Sequence, residues 1–204
     1  FNTILETGKE TNTDLIPTHS FDFRIDTPSN GYIIDNVGGI IKANYMNGIT
    51  SSSDGVVFTG GARSDEEHPY INLDDFELGN NVSFESYFKF DSDSATYSRL
   101  FGFGEGNGTY AYWVAPANGF SWTLTASNAT QPARIDYANN NLRDTFVHGV
   151  FTVSSSGELK MYINGSLVGT STSSDSSIPN TRTRTLHYLG RSTYNHDPYA
   201  KSTI

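Results

Sequence analysis

From Val82 to Phe90 the chain reads VSFESYFKF, which puts Val82, Phe84, Ser86, Phe88 and Phe90 on one side of an extended backbone. Ser83, Glu85, Tyr87 and Lys89 fall on the other. Only a β-strand, whose successive side chains point to opposite faces, turns that spacing into one buried side and one wetter side. A helix would scatter the same phenylalanines around its circumference. The sequence therefore predicts a half-buried strand that needs a second apolar layer to face.

Shorter runs of the same kind occur at 55–59, 70–73, 99–103, 110–115, 120–126, 146–153, 158–163 and 186–190. Between them lie clusters of Asp, Asn, Ser, Pro and Gly at 26–31, 47–55 and 91–95, the residues that initiate turns. Asn164-Gly165 sits between two apolar runs, and both residues tolerate positive φ, so the segment 159–168 predicts a two-residue hairpin. The segment 139–146 (NNNLRDTF) is too short and polar for more than a turn. Hydrophobic residues make up 36% of the 204, and charged residues only 17%. That balance suits many short strands in one domain better than a helical bundle. The expected fold class is all-β: a two-sheet antiparallel β-sandwich, or jelly roll, over residues 19–204, with 1–18 as a linker or N-terminal edge segment.

A formal net charge of -9 opposes a phosphate backbone, which removes nucleic acid as an expected partner. The absence of cysteine removes disulfides, thiolate catalysis and thiolate-bound zinc. No apolar run approaches the roughly 20 residues of a membrane span. The chain opens on Phe1 rather than Met, as expected of a piece of a longer protein.

Several segments, taken in order, resemble the concanavalin A-like lectin/glucanase superfamily, in particular its laminin-G-like branch found in viral, bacterial and marine surface proteins. They are SFDFR (20–24), DNVGG (35–39), DGVVFTGG (54–61), YINLDDFELG (70–79), VSFESYFKFDS (82–92), SRLFGFGEG (98–106), HGVFTVSSSGELKMYINGSLVG (148–169) and TRTLHYLGRS (183–192). The resemblance implies a carbohydrate-binding or adhesion module of an extracellular, cell-surface or virion-surface protein, with a glycan or polysaccharide and other surface proteins as partners. The alternative it leaves open is a structural or protein-interaction spacer; a glycoside hydrolase or polysaccharide lyase is the remaining one. It also implies a final strand that is missing or cut short, because the chain stops at Ile204. A gap of that kind could be filled by the N-terminal segment or by a neighbouring chain.

Glucanases of this superfamily carry Glu-x-Asp-x-Glu on one strand, so that alternate carboxylates face the cleft. No such run exists here, and the expectation is a protein without catalysis. Calcium is the only cofactor the resemblance suggests, with Asp65 and Glu66 as its metal ligands and Asp93, Glu105, Asn107 and Asp197 as further oxygen donors. The common Phe-Asp-Gly loop reads Phe58-Thr59-Gly60, which removes one carboxylate.

The expected ligand site is the loop 192–201 (STYNHDPYAK), where Tyr194, Asn195, His196, Asp197 and Tyr199 follow Arg191. Rings beside amide, carboxylate and guanidinium groups suit sugars, which offer apolar C–H faces and hydroxyls. In a strand only one of Tyr112 and Trp113 points inward, so the other is expected at a surface or cleft. His148 and His187 fall within expected strands and are read as hydrogen-bonded structural residues.

Overall fold

The structure, a computed structural model, describes residues 2–6, 17–63, 68–106, 109–117, 119–125, 133–173 and 179–204, the first of these segments as backbone only. The described residues form strands β1 (Asn2–Glu6), β2 (His19–Phe21), β3 (Tyr32–Ile34), β4 (Lys42–Met46), β5 (Ser51–Ser52), β6 (Gly55–Gly61) and β7 (Tyr70–Leu73). They continue with β8 (Phe76–Leu78), β9 (Val82–Phe90), β10 (Phe101–Glu105), β11 (Thr109–Ala115), β12 (Phe120–Leu124) and β13 (Ala133–Tyr137). After one 3-10 turn at Asn140–Leu142 come β14 (Val147–Val153), β15 (Glu158–Ile163), β16 (Ser166–Thr172), β17 (Arg182–Arg184), β18 (Leu186–Leu189) and β19 (Tyr199–Thr203).

Two large antiparallel sheets result. The first runs β16-β15-β14-β9-β19-β6-β5, with β1 also paired to β9 and β2 to β1; the second runs β13-β12-β11-β10-β18-β7-β4-β3. A small β17-β8 ribbon completes the set. Phe84 and Phe88 of the first sheet meet Phe101 and Phe120 of the second at ring separations of 5.2 and 5.8 Å, so the two inner faces share one aromatic core. Trp122 reaches across to Phe151 at 5.6 Å, and its indole N–H donates to the Thr152 carbonyl at 3.2 Å.

Register explains which residues build that core. In the second sheet Ile33, Ala43, Leu73, His187, Phe103, Tyr112, Leu124 and Ala133 lie side by side across eight strands, and all are buried. The next row, Tyr32, Asn44, Asn72, Tyr188, Gly102, Trp113, Thr123 and Arg134, points to the opposite, outer face. The hairpin forms where the sequence predicts it, with φ of +50° at Asn164 and +78° at Gly165.

The chain's end departs from expectation. A closing strand was expected to be missing or shortened, yet Tyr199–Thr203 forms β19, short but inserted between β6 and β9. Its register places Ser202 opposite Phe90 and Thr203 opposite Lys89, while β1 runs beside the same strand farther along, from Thr3 opposite Glu85 to Glu6 opposite Val82. With β19 in that place the closing strand is present, and β1 extends the same lane along β9.

Candidate ligand-binding site

The loop expected to bind ligand is pinned to the outer face of the second sheet. Its neck is a pair of backbone hydrogen bonds: Gly190 N–H to Leu100 O and Ala200 N–H to Gly190 O, each 2.9 Å. Gly190 has φ of +75°, and a Cβ there would meet the Phe58 ring at 2.2 Å, so only glycine starts this loop. The loop then lies on Gly102, with the Arg191 carbonyl and Thr193 at 3.5 Å from an ideal Cβ, ordinary contact distance. The alternation Phe101-Gly102-Phe103-Gly104 thus reads as phenylalanines inward and a bare backbone outward.

Asp197 holds the loop down. It pairs with the Arg99 guanidinium at 2.9 Å and accepts a hydrogen bond from the Ser192 hydroxyl at 2.7 Å. Arg99 is almost fully buried and lies over the Trp113 ring at 3.6 Å. Burial pulls its guanidinium down to about 10 against the upward pull of Asp197, which leaves it charged at neutral pH. Two sequence expectations are corrected here. Trp113 does face outward, but Arg99 covers it and it is buried; Tyr112 faces inward, fully buried, with its hydroxyl donating to the Gly79 carbonyl. Alternation assigned the faces correctly, but the outer face is not wet at this point, so neither ring is offered to a ligand.

The residues that do frame an opening come from four loops and strand ends. A pocket of 390 Å³ is lined by Asn47, Arg63, Tyr70, Arg191, Asn195 and Tyr199. Asn47 follows β4 with φ of +55°, Arg63 follows β6, Tyr70 begins β7, and Arg191 and Asn195 belong to the pinned loop. Tyr70 and Tyr188 both sit on the outer face and meet edge-on at 5.7 Å, and the Arg191 guanidinium lies 4.5 and 4.6 Å from their ring centres. Arg63 stands 5.3 Å from the Tyr199 ring. Burial, and next the neighbouring Arg191 charge, hold the Arg63 guanidinium below its ordinary value.

Of the loop residues named from sequence, the structure brings Arg191, Asn195 and Tyr199 into this pocket. It leaves His196 exposed outside the lining and commits Asp197 to Arg99; Tyr194 lies half-buried nearby. Asn47, Arg63, Tyr70 and Tyr188 escaped sequence reasoning. Tyr70 and Tyr188 carried a signal, since each alternates with buried Ile71 and Leu189, whereas Arg63 carried none.

Asp65, Glu66 and Asn107 lie outside the described residues. Asp93, Glu105 and Asp197 each face a cation, respectively Lys201, the Arg182–Arg184 pair and Arg99. Among the described residues no group of three or more His, Asp or Glu side chains is placed to hold a metal ion. His148 and His187 are both hydrogen-bonded within the fold, to Glu85 at 2.8 Å and to the Arg184 carbonyl at 2.9 Å.

Two large antiparallel sheets packed around one shared aromatic core define a jelly-roll β-sandwich. Residues 65–204 match the profile of the concanavalin A-like lectin/glucanases superfamily, and the chain belongs to that family. No curated protein sequence matches it significantly. Among solved structures it is similar to the botulinum neurotoxin serotype D binding domain, at 14% identity and TM-score 0.59 over 93% of this chain and 43% of that one. A receptor-binding domain of the mosaic serotype C/D toxin aligns at 13% identity and TM-score 0.56, over 98% and 46%. Domain 4 of an extracellular arabinanase from Geobacillus stearothermophilus, solved in complex with arabinotriose, aligns at 14% identity and TM-score 0.51, over 99% and 79%. The chain thus spans less than half the length of the toxin domains it matches. Among the described residues no helix is long and apolar enough to cross a membrane.

Proposed function

We propose that this chain is a non-catalytic carbohydrate-binding or adhesion module of a larger extracellular or surface-exposed protein, and that the pocket framed by Arg63, Tyr70 and Arg191 takes the sugar. The observation that carries this reading is the pocket's lining: rings, amides and guanidiniums converge from separate loops on one opening. Rings cover C–H faces while amides and guanidiniums address hydroxyls and ring substituents. The arabinanase domain that shares the fold was solved with arabinotriose, which supports a sugar as the class of ligand. Hydrolysis of a glycosidic bond calls for two carboxyl groups flanking it.

A glycan array spanning neutral and acidic polysaccharides, paired with a reducing-end assay, tests this. Saturable binding without release of reducing ends is expected. Asn195→Ala, on the exposed part of the loop, is expected to weaken binding about tenfold, the scale of one lost hydrogen bond. Silence across the array overturns the reading; so does the appearance of reducing ends.

A protein-interaction spacer is the second reading, favoured by the outer face of the first sheet. There Tyr87 and Phe146 stack at 5.1 Å, both exposed, above a groove of 460 Å³ that Val57 also lines.

A further inference from the structure

Among the described residues, the two arginines of the pocket lack the carboxylate partners that the buried Arg99 and Arg184 have. Arg99 has Asp197, and Arg184 shares Glu105 with Arg182. Arg63 and Arg191 face each other across the opening, and among the described residues neither forms an ion pair. Arg63 Nη1 and Arg191 Nε are buried and lack hydrogen-bond partners. Buried polar donors are nearly always satisfied, and an unmet one costs free energy that a matching acceptor restores. The rings of Tyr70, Tyr188 and Tyr199 offset part of that cost through their π faces, but rings accept no bidentate hydrogen bond.

We propose that the pocket selects an acidic sugar, its oxyanion, a carboxylate or a sulfate ester, seated between the guanidiniums of Arg63 and Arg191. This rests on the carbohydrate-binding reading and names its ligand class. A planar guanidinium presents paired N–H donors that match a carboxylate or sulfate edge, and such charge-assisted bonds are about twice as strong as neutral ones. Burial first, and then repulsion from Arg191, holds the Arg63 guanidinium below its ordinary value, and a bound oxyanion offsets the second of these. The sugar ring lies against the tyrosines, and Asn47 and Asn195 at the rim face its hydroxyls. The volume of 390 Å³ falls within the about 300–1,000 Å³ range of small-molecule sites. The chain's net charge of -9 does not exclude an anion, because at physiological salt fields are screened over about 8 Å and the two adjacent arginines dominate locally.

The test measures binding of the whole chain by calorimetry to three probes of similar length: an oligogalacturonate, an oligosaccharide of a sulfated galactan, and a neutral galacto-oligosaccharide. At least one acidic probe is expected to bind tenfold or more tighter than the neutral one; the arm that responds separates carboxylate from sulfate. Arg63→Gln and Arg191→Gln are each expected to lower acidic affinity ten- to a hundredfold, more than they lower neutral affinity, so that the preference for the acidic probe shrinks to threefold or less. Arg63→Lys and Arg191→Lys, which keep the charge and much of the packing, are expected to fall between, and they carry the test should a Gln variant fail to fold. Neutral and acidic probes binding equally, or Gln variants that bind the acidic probe normally, overturn the acidic-ligand inference alone. Silence toward all three probes overturns it together with the carbohydrate-binding reading.

Discussion

At the scale of single residues, His187 couples the fold to pH. Its ring is fully buried, stacked on Phe76 at 3.9 Å, and hydrogen-bonded to the Arg184 carbonyl at 2.9 Å. Burial, the largest cause, pushes the imidazole down to about 4, because a cation there would lie in an apolar core beside the Arg184 charge. An unfolded histidine protonates near pH 6.5. The sign follows: above about 6.5 both states are neutral and the contribution of His187 to stability is fully present. As pH falls toward 4 the unfolded chain takes up a proton that the folded one refuses, and that contribution is lost. Over the whole window the loss is about 3 kcal/mol. Chemical denaturation followed from pH 7 to pH 4 is expected to show this decline, and His187→Gln, which retains an N–H for the Arg184 carbonyl, is expected to flatten it. A decline of equal steepness in the variant would assign the acid sensitivity to other groups.

At the scale of elements, the loop between β18 and β19 is held by one buried ion pair rather than by an apolar anchor. Removing the charge of Asp197 leaves Arg99 buried over Trp113 without its counter-ion, a change that costs about 3–5 kcal/mol when the pair is fully enclosed. Asp197 is partly exposed, so Asp197→Asn is expected at the lower end, about 3 kcal/mol, with sugar affinity falling as the loop lifts. The pair's coupling is read from a double-mutant cycle with Arg99→Met, where the double variant should recover part of the loss; strict additivity would show that Arg99 and Asp197 act separately. This loop also shows what sequence could and could not tell. Its rings and amides were visible as a cluster, and β7, β9 and β15 have the expected bounds because their apolar residues alternate. β19, by contrast, reads YAKST, and its strand character comes from β6 and β9 on either side. Tyr70 enters the site because β7 pairs with β18, Asn72 opposite Tyr188, and Arg63 because β6 pairs with β19, Gly61 opposite Tyr199; contacts that distant in sequence leave no local trace.

For the whole molecule, the first sheet draws one lane from both ends of the chain. β19 pairs with β9 at Phe90 and Lys89, and β1 pairs with it from Glu85 to Val82, so the same side of one central strand is served by residues about 200 apart. β14 lines the other side of β9 along Val82 to Phe88. Removing residues 1–16 therefore strips β9 of its partner at Val82–Glu85 while the β14 ladder stays. Backbone groups in that stretch would turn to water or to another chain, as exposed strand edges do. Among the described residues the pocket lining, which draws on both sheets, takes none from this segment. A chain beginning at Pro17 is accordingly expected to melt several degrees lower, since about 1–2 kcal/mol shifts a domain of this size by that much. It is also expected to form dimers at high concentration and to bind glycans with unchanged affinity when monomeric. Calorimetry, light scattering and a binding isotherm on the shortened chain decide the matter. An unchanged melting temperature in a monomeric sample would mean that β9 needs nothing beside Val82–Glu85. A loss of glycan affinity in that same sample would mean instead that the lane supports the pocket through the core.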